Sequence, residues 1–147
     1  MEIYYLILII LLFILAGSDL IVGVSNDAVN FLNSAIGSKV ASFKVIMAVA
    51  ALGVLFGAVF SSGMMEVARK GIMDPHMFTF SEVMIIFLAV MITDVILLDV
   101  YNTAGLPTST TVSIVFELLG ASVAMASIKI MHESGASLSE FINSSKA

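Results

Sequence analysis

Residues 102–113 read Asn-Thr-Ala-Gly-Leu-Pro-Thr-Ser-Thr-Thr-Val-Ser, a polar, hydroxyl-rich and uncharged stretch. It lies between residues 83–101 and 114–130, which are almost wholly apolar. At ~1.5 Å per residue, each flank is long enough as a helix to cross most of a ~30 Å hydrocarbon core. Lipid satisfies no bare N–H or C=O group, so irregular backbone at that depth must be buried in protein or line a cavity. A chain with this arrangement is restricted to helices packed around a polar centre.

Composition supports the same restriction. Of 147 residues, 60% are hydrophobic and 12% charged, against about 25% charged in a soluble domain. A soluble domain this small has too much surface to hide that much apolar area. The absence of cysteine excludes disulfides and thiolate metal sites. The two histidines, His76 and His132, lie in polar connections, which argues against a His-based metal site. The net charge of −5 is not a field that recruits nucleic acid. No Gly-rich nucleotide loop and no nucleophile–base set is present, so neither an enzyme nor an organic cofactor is expected.

The reading is therefore an all-α membrane protein of about four transmembrane helices with two re-entrant or broken-helix polar loops. The spans are 3–24, 45–65, 83–101 and 112–131. Leu15-Ala16-Gly17-Ser18 has the small residues of a signal-peptide cleavage site. However, the segment before it carries Glu2 and no Lys or Arg, so it reads as a retained first span. The two polar islands are 25–38 and 102–113. In the second span, Gly53, Gly57 and Ala58 offer a small face for close helix approach. Residues 66–82 read as a short interfacial helix, a turn at Asp74-Pro75 and a new helix start capped by Thr79 or Ser81. Residues 1–131 form the membrane unit, and 132–147 a polar tail or linker. Lys and Arg are spread over nearly every connection, so orientation stays open.

Three constellations carry chemistry. On a helix, Asn26 and Asn30 are four residues apart and Asp27 and Asn30 three apart, so each pair shares a side. A carboxylate flanked by amide oxygens suits a small cation such as Na⁺, or carries a proton. The simpler alternative is a helix cap. The second constellation is Thr108, Ser109, Thr110, Thr111 and Ser113. Hydroxyls and free N–H groups at a helix start near Ser109 form an oxyanion site without Lys or Arg. Plain capping needs one hydroxyl and this stretch offers five, which favours the anion. The third is Asp19, Asp94, Asp99 and Glu117, each costing about 2.5–3.5 kcal/mol at mid-bilayer. They coordinate a cation, relay protons or join helices. Asp99 lies near the interface by count. Asp19 and Glu117 are the stronger candidates, and Asp94 stands between. Asp94 and Asp99, five residues apart, point roughly 140° apart on a helix.

Two of these motifs resemble the inorganic phosphate transporter family, the sodium- or proton-coupled phosphate permeases. Asn26-Asp27-Ala28-Val29-Asn30 with Gly37-Ser38 is similar to its Gly-x-Asn-Asp-x-x-Asn…Gly-Ser stretch. Gly105-Leu106-Pro107-Thr108-Ser109-Thr110-Thr111, then Ile114-Val115 and Gly120, is similar to its Gly-Leu-Pro-x-Ser-Thr-Thr stretch. Val67-Ala68-Arg69-Lys70-Gly71-Ile72 resembles a weaker element. The chain departs from the pattern at Gly23, displaced from the Asn-Asp pair, at Val112 and Ala51 in place of His and Glu, and at Glu117 in place of a small residue.

The resemblance implies phosphate transport driven by a cation gradient, Na⁺ or H⁺, in a multi-pass protein of the cell (inner) membrane. It implies phosphate contacts from Thr108, Ser109, Thr110 and Thr111. It places a cation at Asn26, Asp27 and Asn30, with Na⁺ at Asp27 and Asn30 and further cation contacts at Asp19 and Glu117. The family is built from two inverted halves, and the chain matches the first, so a second half or a homodimer is the expected partner. Transport of sulfate or another oxyanion, and a non-transporting truncated fragment, remain as alternatives.

Overall fold

The computed structural model describes residues 2–61, 71–132 and 137–142. The described residues form helices α1 (Glu2–Gly37), α2 (Phe43–Val59), α3 (Phe80–Ala104), α4 (Thr110–His132) and a single turn, α5 (Leu138–Phe141). Among them α1, α3 and α4 are long and apolar enough to cross a membrane, and α2 is a shorter apolar helix. The chain is an all-α integral membrane protein.

α1 runs on through the first polar island to Gly37, so residues 25–37 are helix rather than a break. At about 1.5 Å per residue it is roughly 54 Å long. Its polar residues are accommodated one at a time. The Ser18 hydroxyl donates to the Ile14 carbonyl at 3.1 Å, and Ser25 to Ile21 at 2.7 Å. Asn26 and Asn30 find partners on other elements, described below. The helix ends where Ser38 and Lys39 close the last turn on Ser34 and Ile36, with Lys39 in the left-handed region at φ 54°.

α1 and α3 run parallel. The rings of Tyr5 and Phe80 lie 5.8 Å apart at one end, and Asn26 bonds Asn102 at the other. α4 returns antiparallel. Its Thr110 meets Asp27, and its Lys129 pairs with Glu82 at 3.3 Å and donates to the Met77 carbonyl at 2.9 Å. Thr79 caps α3 in a reciprocal box with Glu82, resolving the choice between Thr79 and Ser81. Gly105 ends α3 in the left-handed conformation, with the Leu106 N–H on the Tyr101 carbonyl at 3.0 Å. The connection from α3 to α4 is thus a tight turn of residues 105–109, and the rest of the second polar island belongs to the two helix ends.

α2 lies against the far half of α1, and Ile46 is its buried residue. Cavities of about 580 and 520 Å³ flank this contact. A Cβ added at Gly53 or Gly57 would meet nothing within 4 Å, and Gly53 and Ala58 border the cavities that α2 shares with α1. Phe13, Phe56 and Phe60 are among many large apolar side chains left exposed, as lipid-facing helices require.

In the connection before α3, the expected interfacial helix falls mainly on residues 66–70, outside the described residues, while the expected turn at Asp74-Pro75 is present. Glu66, Arg69 and Lys70, and most of the element at 67–72, lie outside the described residues. Residues 71–74 are not helical, and Pro75–Met77 is one 3₁₀ turn. Ile72 and Met73 are nevertheless buried with Phe78, Ile86, Val90, Leu118, Ala126 and Phe141 in one apolar cluster. Met73 pairs with Ile142 in an isolated bridge, and the Asp74 N–H donates to the Phe141 carbonyl at 3.0 Å. The Ser122 hydroxyl donates to the Leu118 carbonyl at 2.6 Å and lies 3.5 Å from the Met73 sulfur. The segment 137–142, expected as part of a polar tail, is therefore tied into the bundle through Phe141. Pairing its backbone with residues 73–74 satisfies polar groups that burial would otherwise orphan.

Candidate functional site

The two sequence motifs meet where α1 passes the α3–α4 turn. α1 brings Asn26, Asp27 and Asn30 to one region because they lie within a single turn and its continuation. The end of α3 supplies Asn102, the turn supplies Thr108, and the first residue of α4 is Thr110. Asn26, only 2% exposed, donates to the Asn102 side-chain oxygen at 3.0 Å. Asn30 donates to Asn26 at 3.2 Å and to the Thr108 carbonyl at 2.8 Å. Asn102 in turn donates to the Val22 carbonyl at 3.3 Å. The Thr110 hydroxyl donates to the Asp27 carboxylate, 3.2 and 3.4 Å from its two oxygens. Gly23 sits at the same crossing, where an added Cβ would lie 3.9 Å from both Leu98 and Thr110.

The hydroxyls of the turn thus have distinct roles. Ser109 accepts from the Val112 N–H at 3.4 Å, and its carbonyl accepts from Ser113 at 3.0 Å, so it caps α4. Thr110 faces Asp27, while Thr111 is exposed. Beside the network, Ser25, Asn26, Asn30, Asn33, Tyr101 and Asn102 help line a cavity of about 390 Å³. Asn102 was not singled out by sequence reasoning. Its signal was its place at the head of the polar stretch, but its partner lies 76 residues away and no local pattern shows that.

One to two turns further along α1 lies a second layer. Asp19 of α1, Asp94 of α3 and Glu117 of α4 are neighbours. Asp19, Asp27, Asp94 and Thr110 all line one cavity of about 190 Å³. The structure therefore joins Asp94 to Asp19 and Glu117, and leaves Asp99 exposed on the other side of α3. Among the described residues, no three His, Asp or Glu side chains converge as a metal-ion ligand set.

The sequence profile of the phosphate transporter family matches residues 23–144, a stretch that holds both motifs. The chain belongs to the phosphate transporter family. A protein of Pyrococcus abyssi (strain GE5 / Orsay) named "Putative phosphate permease" is 32% identical over 110 residues. The match covers 74% of this chain and 27% of that relative, so the chain spans about a quarter of the length of the permease it matches. No solved structure matches the chain. Within the matched stretch, the fold brings Asn26, Asp27 and Asn30 of α1 into contact with Asn102, Thr108 and Thr110.

Proposed function

We propose that this phosphate transporter family member forms part of a cation-coupled permease for inorganic phosphate. The observation that carries the reading is the hydrogen bond between Thr110 and Asp27, which joins the two polar motifs at one place. Phosphate oxygens are held by the hydroxyls of Ser109, Thr110 and Thr111, with Thr108, and by the free N–H groups that open α4. The cation sits at Asp27 with the amide oxygens of Asn26 and Asn30, and is Na⁺ or H⁺. A cation beside the phosphate offsets its charge, so each ligand favours binding of the other. Asp19 and Glu117 extend the cation path along α1 and α4.

The permease is completed by a second half or by a second copy of this chain, in the cell (inner) membrane. Broken or half-length elements from two repeats commonly complete such sites, and the open space beside Gly53 and Gly57 of α2 leaves room for a further helix. The test is ³²P-phosphate uptake into proteoliposomes containing the chain, with and without a Na⁺ gradient and with and without a proton gradient. Gradient-driven uptake competed by unlabelled phosphate and not by sulfate supports the reading. Competition by sulfate alone assigns a different oxyanion. Uptake unchanged in Asp27→Ala and Ser109→Ala removes these residues from the site.

A further inference from the structure

Asp94 has no local reason to be carboxylate. It lies near the middle of α3, is 2% exposed, and its Oδ1 finds no hydrogen-bond donor among the described residues. Both oxygens of Glu117 are likewise buried without a donor. The groups facing Asp94 are Asp19 from α1 and Glu117 from α4, all acceptors when ionised. Asp27 lies at the far side of the shared cavity, already engaged by Thr110. The ion pair formed by Lys129 is with Glu82, at the opposite end of α4. Adjacent carboxylates with no donor between them are each short of hydrogen bonds, and like charges so close do not all ionise. A metal ion is one remedy, but these side chains do not converge as a ligand set. A proton shared between two carboxyl groups is the other, since it makes one of them a donor.

We propose that Asp94, bridging Asp19 and Glu117, is a proton-binding site, loaded at neutral pH and opening through the 190 Å³ cavity toward Asp27 and Thr110. The proton comes from water, resides on a carboxyl oxygen between Asp94 and either neighbour, and leaves to water as the same species. The site is separate from Asn26, Asp27 and Asn30. It rests on the transport reading only for its use, where it carries a proton beside the cation held at Asp27. Its existence rests on the buried donor-free oxygens.

The experiment is infrared spectroscopy of the full chain in phosphatidylcholine vesicles, following the C=O stretch of protonated carboxyl groups in H₂O and D₂O. A protonated-carboxyl band is expected at neutral pH. Asp94→Asn should abolish it, and Asp99→Asn should leave it intact. Glu117→Gln gives the same reading should Asp94→Asn fail to reach wild-type helicity. Absence of the band, its survival in both Asp94→Asn and Glu117→Gln, or its loss when Na⁺ is added at fixed pH would overturn the proposal. The band requires no transport, so the proton site stands or falls on the spectrum, whether or not the chain moves phosphate without the half that completes the permease.

Discussion

Replacing Asn26 by Leu tests whether α1 is clasped to α3 as described. The substitution nearly preserves volume and removes two hydrogen bonds, to Asn102 at 3.0 Å and from Asn30 at 3.2 Å. Asn30 keeps the Thr108 carbonyl, and Asn102 keeps its donation to Val22, but the Asn102 side-chain oxygen loses its donor. Interhelical hydrogen bonds in membranes average about 0.6 kcal/mol, and a buried group left unpaired costs about 1–3 kcal/mol in full. Because the site is at the edge of the apolar run, where water is near, the sum should fall at about 1–2 kcal/mol. That is roughly a 5–30-fold change in the folded-to-unfolded ratio. The assay is reversible unfolding in mixed micelles by added denaturing detergent, followed by helicity, with Asn102→Ala and the double variant completing a cycle. Residues in contact should show a coupling of about 0.5 kcal/mol or more. Asn26→Leu as stable as wild type, or strictly additive effects, would refute the clasp and with it the continuous helix through residues 25–37.

Four further substitutions, at three positions, follow from the same geometry. Gly23→Ala should leave stability unchanged, because its Cβ would meet Leu98 and Thr110 at an ordinary 3.9 Å. Gly23→Phe should push α1 off α3 and α4, read as lost crosslinking between cysteines placed at positions 26 and 102. Gly105→Ala should cost about 1–2 kcal/mol in the same unfolding assay, since its φ of 66° is left-handed. Phe141→Ala should cost about 3 kcal/mol, because Phe141 is 2% exposed and its ring lies 5.5 Å from that of Phe78. Protease cleavage near residues 137–142 should quicken in that variant.

Sequence pattern carried much of this structure, for identifiable reasons. Four apolar stretches bounded by Gly, Pro and polar residues mark the helices, and Thr79 with Glu82 marks the start of α3 through a local box. The helical spacing of Asn26, Asp27 and Asn30 placed them on one side, and the 100° step per residue separated Asp94 from Asp99. What local pattern does not show is the partner across the bundle. Residues 25–38 read as a break because isolated Asn and Asp compete with helical backbone. The structure keeps them helical to Gly37 because Asn102, Thr108 and Thr110 supply partners from about 80 residues away. Ile72, Met73 and Phe141 were hidden for the opposite reason: each belongs to a short apolar stretch in a charged or polar neighbourhood, and its burial is decided by where the backbone is carried. Asp94 showed its face but not its neighbours, since nothing in α3 alone says that Asp19 and Glu117 will lie against it.

The central claim is that Asp27 and the Ser109–Thr111 helix start bind a cation and phosphate as one unit. The direct measurement is equilibrium binding of ³²P-phosphate to the reconstituted chain across a range of Na⁺ concentration and pH, for wild type and for Asp27→Asn. The account predicts that raising the cation tightens phosphate binding in wild type by 5-fold or more, the low end of about 1–3 kcal/mol of coupling, and has no effect in Asp27→Asn. Phosphate binding that is indifferent to the cation in wild type, or cation-dependent to the same degree in Asp27→Asn, would contradict it.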